Sequence, residues 1–118
     1  MYYVYILRCK GDTLYTGITP DLVHRMRCHA GRLPGGAKYT RAHPPVALEA
    51  VWRAEDKTDA ARLEYGIKKK LTRGQKEQLI AAPEGIGIVL PHLAEIPYTP
   101  IAGATWERCL EGVFYDGE

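Results

Sequence analysis

The sequence predicts an α+β domain: a three-stranded antiparallel sheet flanked by helices in the order β-β-α-β-α-α, then an irregular C-terminal extension. Three observations predict it. Residues 2–8 and 13–18 are two strand-like runs joined by a short link containing Gly11. Helical spacing of apolar residues governs about 20–30 and 59–80. One further strand-like run, VALEAVWRA at 46–54, separates those helices.

Residues 2–8 are rich in Tyr, Val, Ile and Leu and apolar on both faces, which predicts a central strand. TLYTGI at 13–18 is its hairpin partner across CKGD. An odd-length loop over residues 9–11 pairs positions whose numbers sum to 20, so Tyr5 is expected directly opposite Tyr15. Aliphatic residues would suffice for such strands; Tyr2, Tyr3, Tyr5 and Tyr15 raise the question of what the phenols are for.

Thr19 as N-cap, Pro20 at the first helical position and Asp21 in the first turn predict a helix to about Ala30. Leu22, Val23, Met26 and Ala30 form its expected inward stripe, and Gly31 ends it. Arg25, His29 and Arg32 fall on a polar row beside that stripe. GRLPGGAKYTRAHPP at 31–45 reads as a loop carrying Arg32, Lys38, Arg41 and His43. After the strand at 46–54, Thr58 is the expected cap of a helix over 59–71, with Ala60, Leu63, Ile67 and Leu71 inward and Glu64 on the stripe's edge. Thr72 caps a shorter helix through Ile80, and Pro83 closes a domain of residues 1–82. Residues 83–118 hold prolines at 83, 91, 97 and 100, Trp106 and a possible strand, GIGIVL.

A chain of 118 residues is expected to bury about two-thirds of its unfolded surface without disulfides or a structural metal. MYYVYILR lacks a secretory start and no stretch approaches a membrane span. Cys9, Cys28 and Cys109 are odd in number with no C-x-x-C pair, which argues against a disulfide framework or zinc knuckle. His24 and Cys28 stand at i, i+4 without a second ligand pair. The expectation is a soluble cytoplasmic protein. Residues 1–82 carry 15 Lys+Arg against 8 Asp+Glu, or +7, whereas residues 83–118 carry 1 against 6, or −5. The basic front suits phosphate-rich partners. The acidic extension is expected either to compete with phosphate for Arg25, Arg41 or the Lys68–Lys70 run or simply to cap an exposed sheet edge or helix.

Each candidate residue has a plain structural alternative. Tyr5 and Tyr15 suit a cross-strand aromatic pair. Arg25 and His29 suit a solvated helix face, as does the run Lys68–Lys70. Glu64 and Lys68, at i, i+4 with the acid first, suit a surface ion pair.

Taken together, Tyr3-Val4-Tyr5, Tyr15-Thr16-Gly17, Arg25, His29 and Glu64 resemble the signature of the GIY-YIG nuclease superfamily, with YVY and YTG as its motifs and ten residues from tyrosine to tyrosine. TGITPDLVHRMRCHAG and LEYGIKKKLTRGQKEQLI resemble the flanking segments of small stand-alone members. The likeness spans about residues 1–82 and extends to the nuclease module of the nucleotide-excision-repair machinery and to homing endonucleases. Tyr3 stands where the name-giving glycine would. The resemblance implies a DNA endonuclease of repair or structured-DNA processing, with Mg²⁺ (or Mn²⁺) on Glu64 and phosphate charge stabilised by Arg25. It implies that Tyr5 and Tyr15 orient and deprotonate water, with His29 in the same catalytic set. Lys38, Tyr39, Arg41, Lys68, Lys69, Lys70 and Arg73 are the expected nucleic-acid contacts. No separate DNA-binding domain is recognisable, so a protein partner supplying specificity is expected. The alternative is a non-catalytic nucleic-acid-binding or partner-recruited module of the same fold.

Overall fold

Two strands in sequence become the centre and one edge of an antiparallel sheet because a third crosses back to pair on the other side. The computed structural model describes residues 1–114. Strands β1 (Tyr2–Cys9), β2 (Thr13–Thr19) and β3 (Pro45–Ala54) are joined by a short β4 (Thr99–Pro100), giving the order β2-β1-β3-β4. The sheet therefore has four strands rather than the expected three. The extra one is contributed by the C-terminal segment, whose backbone covers the free edge of β3 at Trp52 and Arg53.

The hairpin register differs from expectation by two. The turn uses residues 10–12, with Gly11 and Asp12 both at positive φ, so Cys9 pairs with Thr13 and pair numbers sum to 22. Tyr5 consequently faces Gly17, and Tyr15 faces Leu7. A shift of two keeps both phenols on one face.

Five helical expectations are corrected. Asp21, not Thr19, caps α1 (Leu22–His29) by accepting from the His24 amide at 3.1 Å, since Thr19 is still held in the β ladder opposite Tyr3. The inward stripe of α1 is Leu22, Met26 and His29, while Val23 and Ala30 are only half-buried. The loop at 31–45 contains a short helix α2 (Lys38–Ala42), and Asp56 rather than Thr58 caps α3 (Lys57–Lys70). Segment GIGIVL is helical, not a strand: α5 (Ile86–Val89) supplies Ile86 to the core. Thr72 caps α4 (Arg73–Ala81) with Gln75 reaching back in a reciprocal capping box. The last element is α6 (Trp106–Leu110).

Alternation along β1 sorts two cores. Even-numbered Val4 and Ile6 meet Trp52, Ala60, Leu63, Ile67 and Leu79, joined by Ile86, Leu90 and Leu93. Odd-numbered Tyr3, Tyr5, Leu7 and Cys9 meet Leu22, Met26, Val51, Ile101 and Cys109. Residues 83–114 thus contribute to both cores. Asp116 and Glu118, part of the acidic balance of the extension, lie outside the described residues. Arg8 binds Glu49, Asp12 (2.7 Å) and Glu77 (2.8 Å), tying the hairpin, β3 and α4 together. Arg8 and Arg73 hold the Glu77 carboxyl down at about 2.

Candidate active site

The site begins with a missing side chain. A Cβ at Gly17 would stand 2.4 Å from the Tyr5 hydroxyl oxygen, so the glycine on the edge strand is what lets the Tyr5 ring lie across β2. Tyr15 lies on the same face, its ring 6.4 Å from that of Tyr5. The α1 helix, started by Asp21, delivers Arg25 and His29 to the same place.

Tyr5 Oη and His29 Nε2 are 2.7 Å apart, and His29 Nδ1 lies 2.8 Å from Thr40 Oγ1. Thr40 Oγ1 donates its one proton to the Ala37 carbonyl at 3.1 Å. The hydroxyl must therefore accept from His29 Nδ1–H, which leaves Nε2 without a proton and makes it the acceptor of the Tyr5 O–H. The three side chains are 1%, 5% and 2% exposed, so each buried polar atom depends on this chain of bonds. Burial, reinforced by the Arg25 charge, pushes the His29 pKa down to about 4 and keeps the ring neutral. Burial raises the Tyr5 phenol above its ordinary value; Arg25, hydrogen-bonded to it, pulls the other way and does not prevail.

Arg25 Nη1 also donates to the Gly35 carbonyl at 2.8 Å. Gly36, next in the chain, is a packed crossing: a Cβ there would come within 2.6 Å of the Cys28 carbonyl oxygen. From there α2 presents Tyr39, which stacks on Tyr15 (5.8 Å, 19°) and on His43 (4.4 Å, 18°). Lys38 and Arg41 are exposed on the same helix.

Glu64 stands on α3, which packs against β1 and β2, and its charge is felt at Tyr5. Its carboxylate is 3.2 Å from Lys68 Nζ, the expected i, i+4 pair, and that ammonium sits 5.7 Å from the centre of the Tyr15 ring. Tyr5, Tyr15, Arg25 and His29 are thus brought together, with Glu64 and Lys68 beside them. Lys69 and Lys70 are exposed farther along α3. Arg73 is held instead in the ion-pair network of Glu77 (2.9 Å) and Asp12 (3.3 Å).

A family model for the GIY-YIG catalytic domain matches residues 1–78. The chain belongs to the GIY-YIG family. Among its relatives, UPF0213 protein CPE1444 of Clostridium perfringens is 50% identical over 70% of this chain and 85% of its own. UPF0213 protein BH0048 of Halalkalibacterium halodurans is 45% identical over 71% of this chain and 86% of its own. A solution NMR structure of UPF0213 protein BH0048 from Bacillus halodurans is 40% identical, covering 82% of this chain and all (100%) of that one at a TM-score of 0.46.

GIY-YIG proteins are a nuclease family, and nucleases of this family are generally dependent on divalent metals. Among the described residues, no group of three or more His, Cys, Asp or Glu is placed to hold a metal ion. Glu64 offers one carboxylate. A lone hard oxygen donor fits Mg²⁺, which keeps several waters and takes further ligands from substrate phosphates. Among the described residues, no helix is long and apolar enough to cross a membrane.

Reading the sequence alone misses Thr40, whose hydroxyl fixes the His29 ring, and the role of Gly17 as the seat for Tyr5. The signal for Thr40 was present in KYTRA, a helical turn embedded among glycines and prolines, in which Thr bonds back to the carbonyl three residues earlier.

Proposed function

We propose that this protein is a divalent-metal-dependent endonuclease that hydrolyses DNA phosphodiester bonds, working on structured or damaged DNA in cytoplasmic repair or processing. The observation that carries the reading is the convergence of Tyr5, Tyr15, Arg25 and His29 on one site, with Tyr5 hydrogen-bonded to an unprotonated His29 nitrogen.

Hydrolysis must remove a proton from water and offset charge on the phosphoryl oxygens. The Arg25 guanidinium, anchored by Gly35, is a preorganised donor for that charge. A phenol raised above the ordinary value of about 10 is no phenolate at neutral pH, so Tyr5 is not a base by itself. It already donates to His29, however. As the Tyr5 oxygen takes the proton of a water O–H, its own proton passes to His29 Nε2; the phenol relays and the imidazole holds. The charge of a bound phosphodiester beside His29 raises its proton affinity from the low resting value. Mg²⁺ or Mn²⁺ held by Glu64 would supply Lewis-acid charge and ease ionisation of water. Tyr15, on the same face with its ring 6.4 Å from that of Tyr5, orients the water. Lys38, Tyr39, Arg41 and Lys68 border the site, with Lys69 and Lys70 farther along α3, as contacts to the DNA backbone, and a partner protein supplies specificity.

The test is incubation with plasmid and branched DNA in Mg²⁺ or Mn²⁺. Wild type should cleave, and Glu64→Gln should not while melting at the same temperature. Undiminished cleavage by Glu64→Gln would remove the carboxylate from the mechanism. Glu64 paired to Lys68 at 3.2 Å favours a second reading, a binding module whose ammonium occupies the cation position. Wild type that binds DNA yet cleaves no substrate would establish it.

A further inference from the structure

Beside the catalytic face, α3 and the C-terminal segment enclose an open groove of about 1000 Å³. One wall is α3, with Lys57, Arg62, Lys68 and Lys69; the other is the turn at Pro91–Leu93, with His92. Lys68, whose ammonium sits 5.7 Å from the centre of the Tyr15 ring, and Glu64, whose charge is felt at Tyr5, both line the groove, so it adjoins the catalytic site. Ala61, Leu93 and Ile96 give it an apolar floor, and the lining is predominantly carbon. Tyr65 lines it as well and is 58% exposed, leaving much of a large ring open to water.

A groove with a cationic rim, an apolar floor and a largely exposed aromatic ring suits a particular ligand. Phosphates track the cations, while unpaired bases lay their faces on the ring and the floor. A duplex keeps its base faces stacked inside and has no use for such a floor. We infer that this groove binds a single-stranded DNA segment running into the catalytic site, with Tyr65 as its stacking platform and Lys57 and Lys69 on its backbone. The far wall lies beyond residues 1–78 matched by the family model, so this chain's C-terminal segment builds a substrate groove there. The inference rests on the nuclease reading for the identity of the ligand.

Anisotropy of a short fluorescein-labelled oligothymidylate, titrated with the full chain in EDTA, tests the groove without turnover. Tyr65→Ala should weaken binding about tenfold, the effect of losing one stacked base. Lys69→Glu should weaken it and flatten its salt dependence, whereas Lys10→Glu, exposed on the hairpin turn, should change it much less. A blunt duplex of equal length should compete poorly. Wild-type affinity in Tyr65→Ala, equal losses in Lys69→Glu and Lys10→Glu, or equal competition by duplex would each overturn the groove. A protein that binds the oligonucleotide through Tyr65 and never cleaves DNA would sink the nuclease reading and leave the groove standing.

Discussion

The two faces of the sheet are made from alternate residues of one strand, yet they do opposite work. Val4 and Ile6 point into a dry core with Trp52, Leu63 and Ile67, whose requirements are volume and shape. Tyr5, one position away, points to a face where packing ends in a phenol, an imidazole and a hydroxyl linked in one hydrogen-bonded chain that ends on the Ala37 carbonyl. A dry face tolerates exchange of one hydrocarbon for another; a buried polar chain fails if any member leaves. Stability and chemistry have been separated by the pleat.

Arg25→Ala should break that separation most visibly in rate. It should lower single-turnover cleavage about a thousandfold, as for loss of one transition-state donor, while DNA affinity falls far less. Arg25→Lys should not restore it, lacking the planar fork. Equal losses in rate and affinity would demote Arg25 to a binding residue.

On the other face, Ile67→Ala should cost about 3 kcal/mol in urea unfolding through the cavity it leaves. Cleavage per folded molecule should stay near wild type. A large rate loss there would mean that the faces are coupled.

His29 sharpens the comparison through pH. Its folded pKa of about 4 lies below the ordinary 6.5, so the unfolded chain takes up a proton that the folded protein refuses. Stability should fall as pH drops from 6.5 towards 4, by on the order of 2 kcal/mol, and His29→Gln should lack that slope. The Glu77 contribution has the depressed-carboxyl sign and a lower window. It is present above pH 4.5 and lost as pH falls towards 2, so thermal melts across the two ranges tell the groups apart.

Thr40→Val should have the smallest effect, about 1 kcal/mol of stability for the lost hydrogen bond. It should also release the His29 tautomer, seen as a change in the imidazole ¹⁵N shifts and a displaced pH–rate profile. Thr40→Ser should restore both. A Val variant with unchanged ¹⁵N shifts would show that Thr40 does not set the ring.

Much of this was legible in the sequence because it depends on local signals. The central β1, the inward stripe of α3 and the Thr72 cap follow from periodicity and capping chemistry alone. So does the shared face of Tyr5 and Tyr15, since a register shift of two preserves the face even though their direct pairing was wrong. What escaped depends on distant segments. Thr99–Pro100 add a strand that no local signal announces, and GIGIVL is helical because Ile86 docks in the core. His29 reads as part of a polar row, and only the arrival of Thr40 from α2 allows it to be buried.

One contact bears on how the protein is made. The Leu110 carbonyl at the end of α6 accepts from Arg27 Nε and Nη2 (both 3.2 Å) and from Arg32 (3.4 Å), clamping α1 across a separation of 83 residues from Arg27. A ribosome delivers Arg25 and His29 early, but the helix that aims them is fastened only after Leu110 has emerged. On the nuclease reading proposed above, nascent chains would carry Arg25 and His29 without their frame and leave nearby DNA uncut until synthesis has passed α6. Hydrogen exchange in α1 of a chain stopped before Thr105 would then be fast, and protection equal to the full chain would refute that timing.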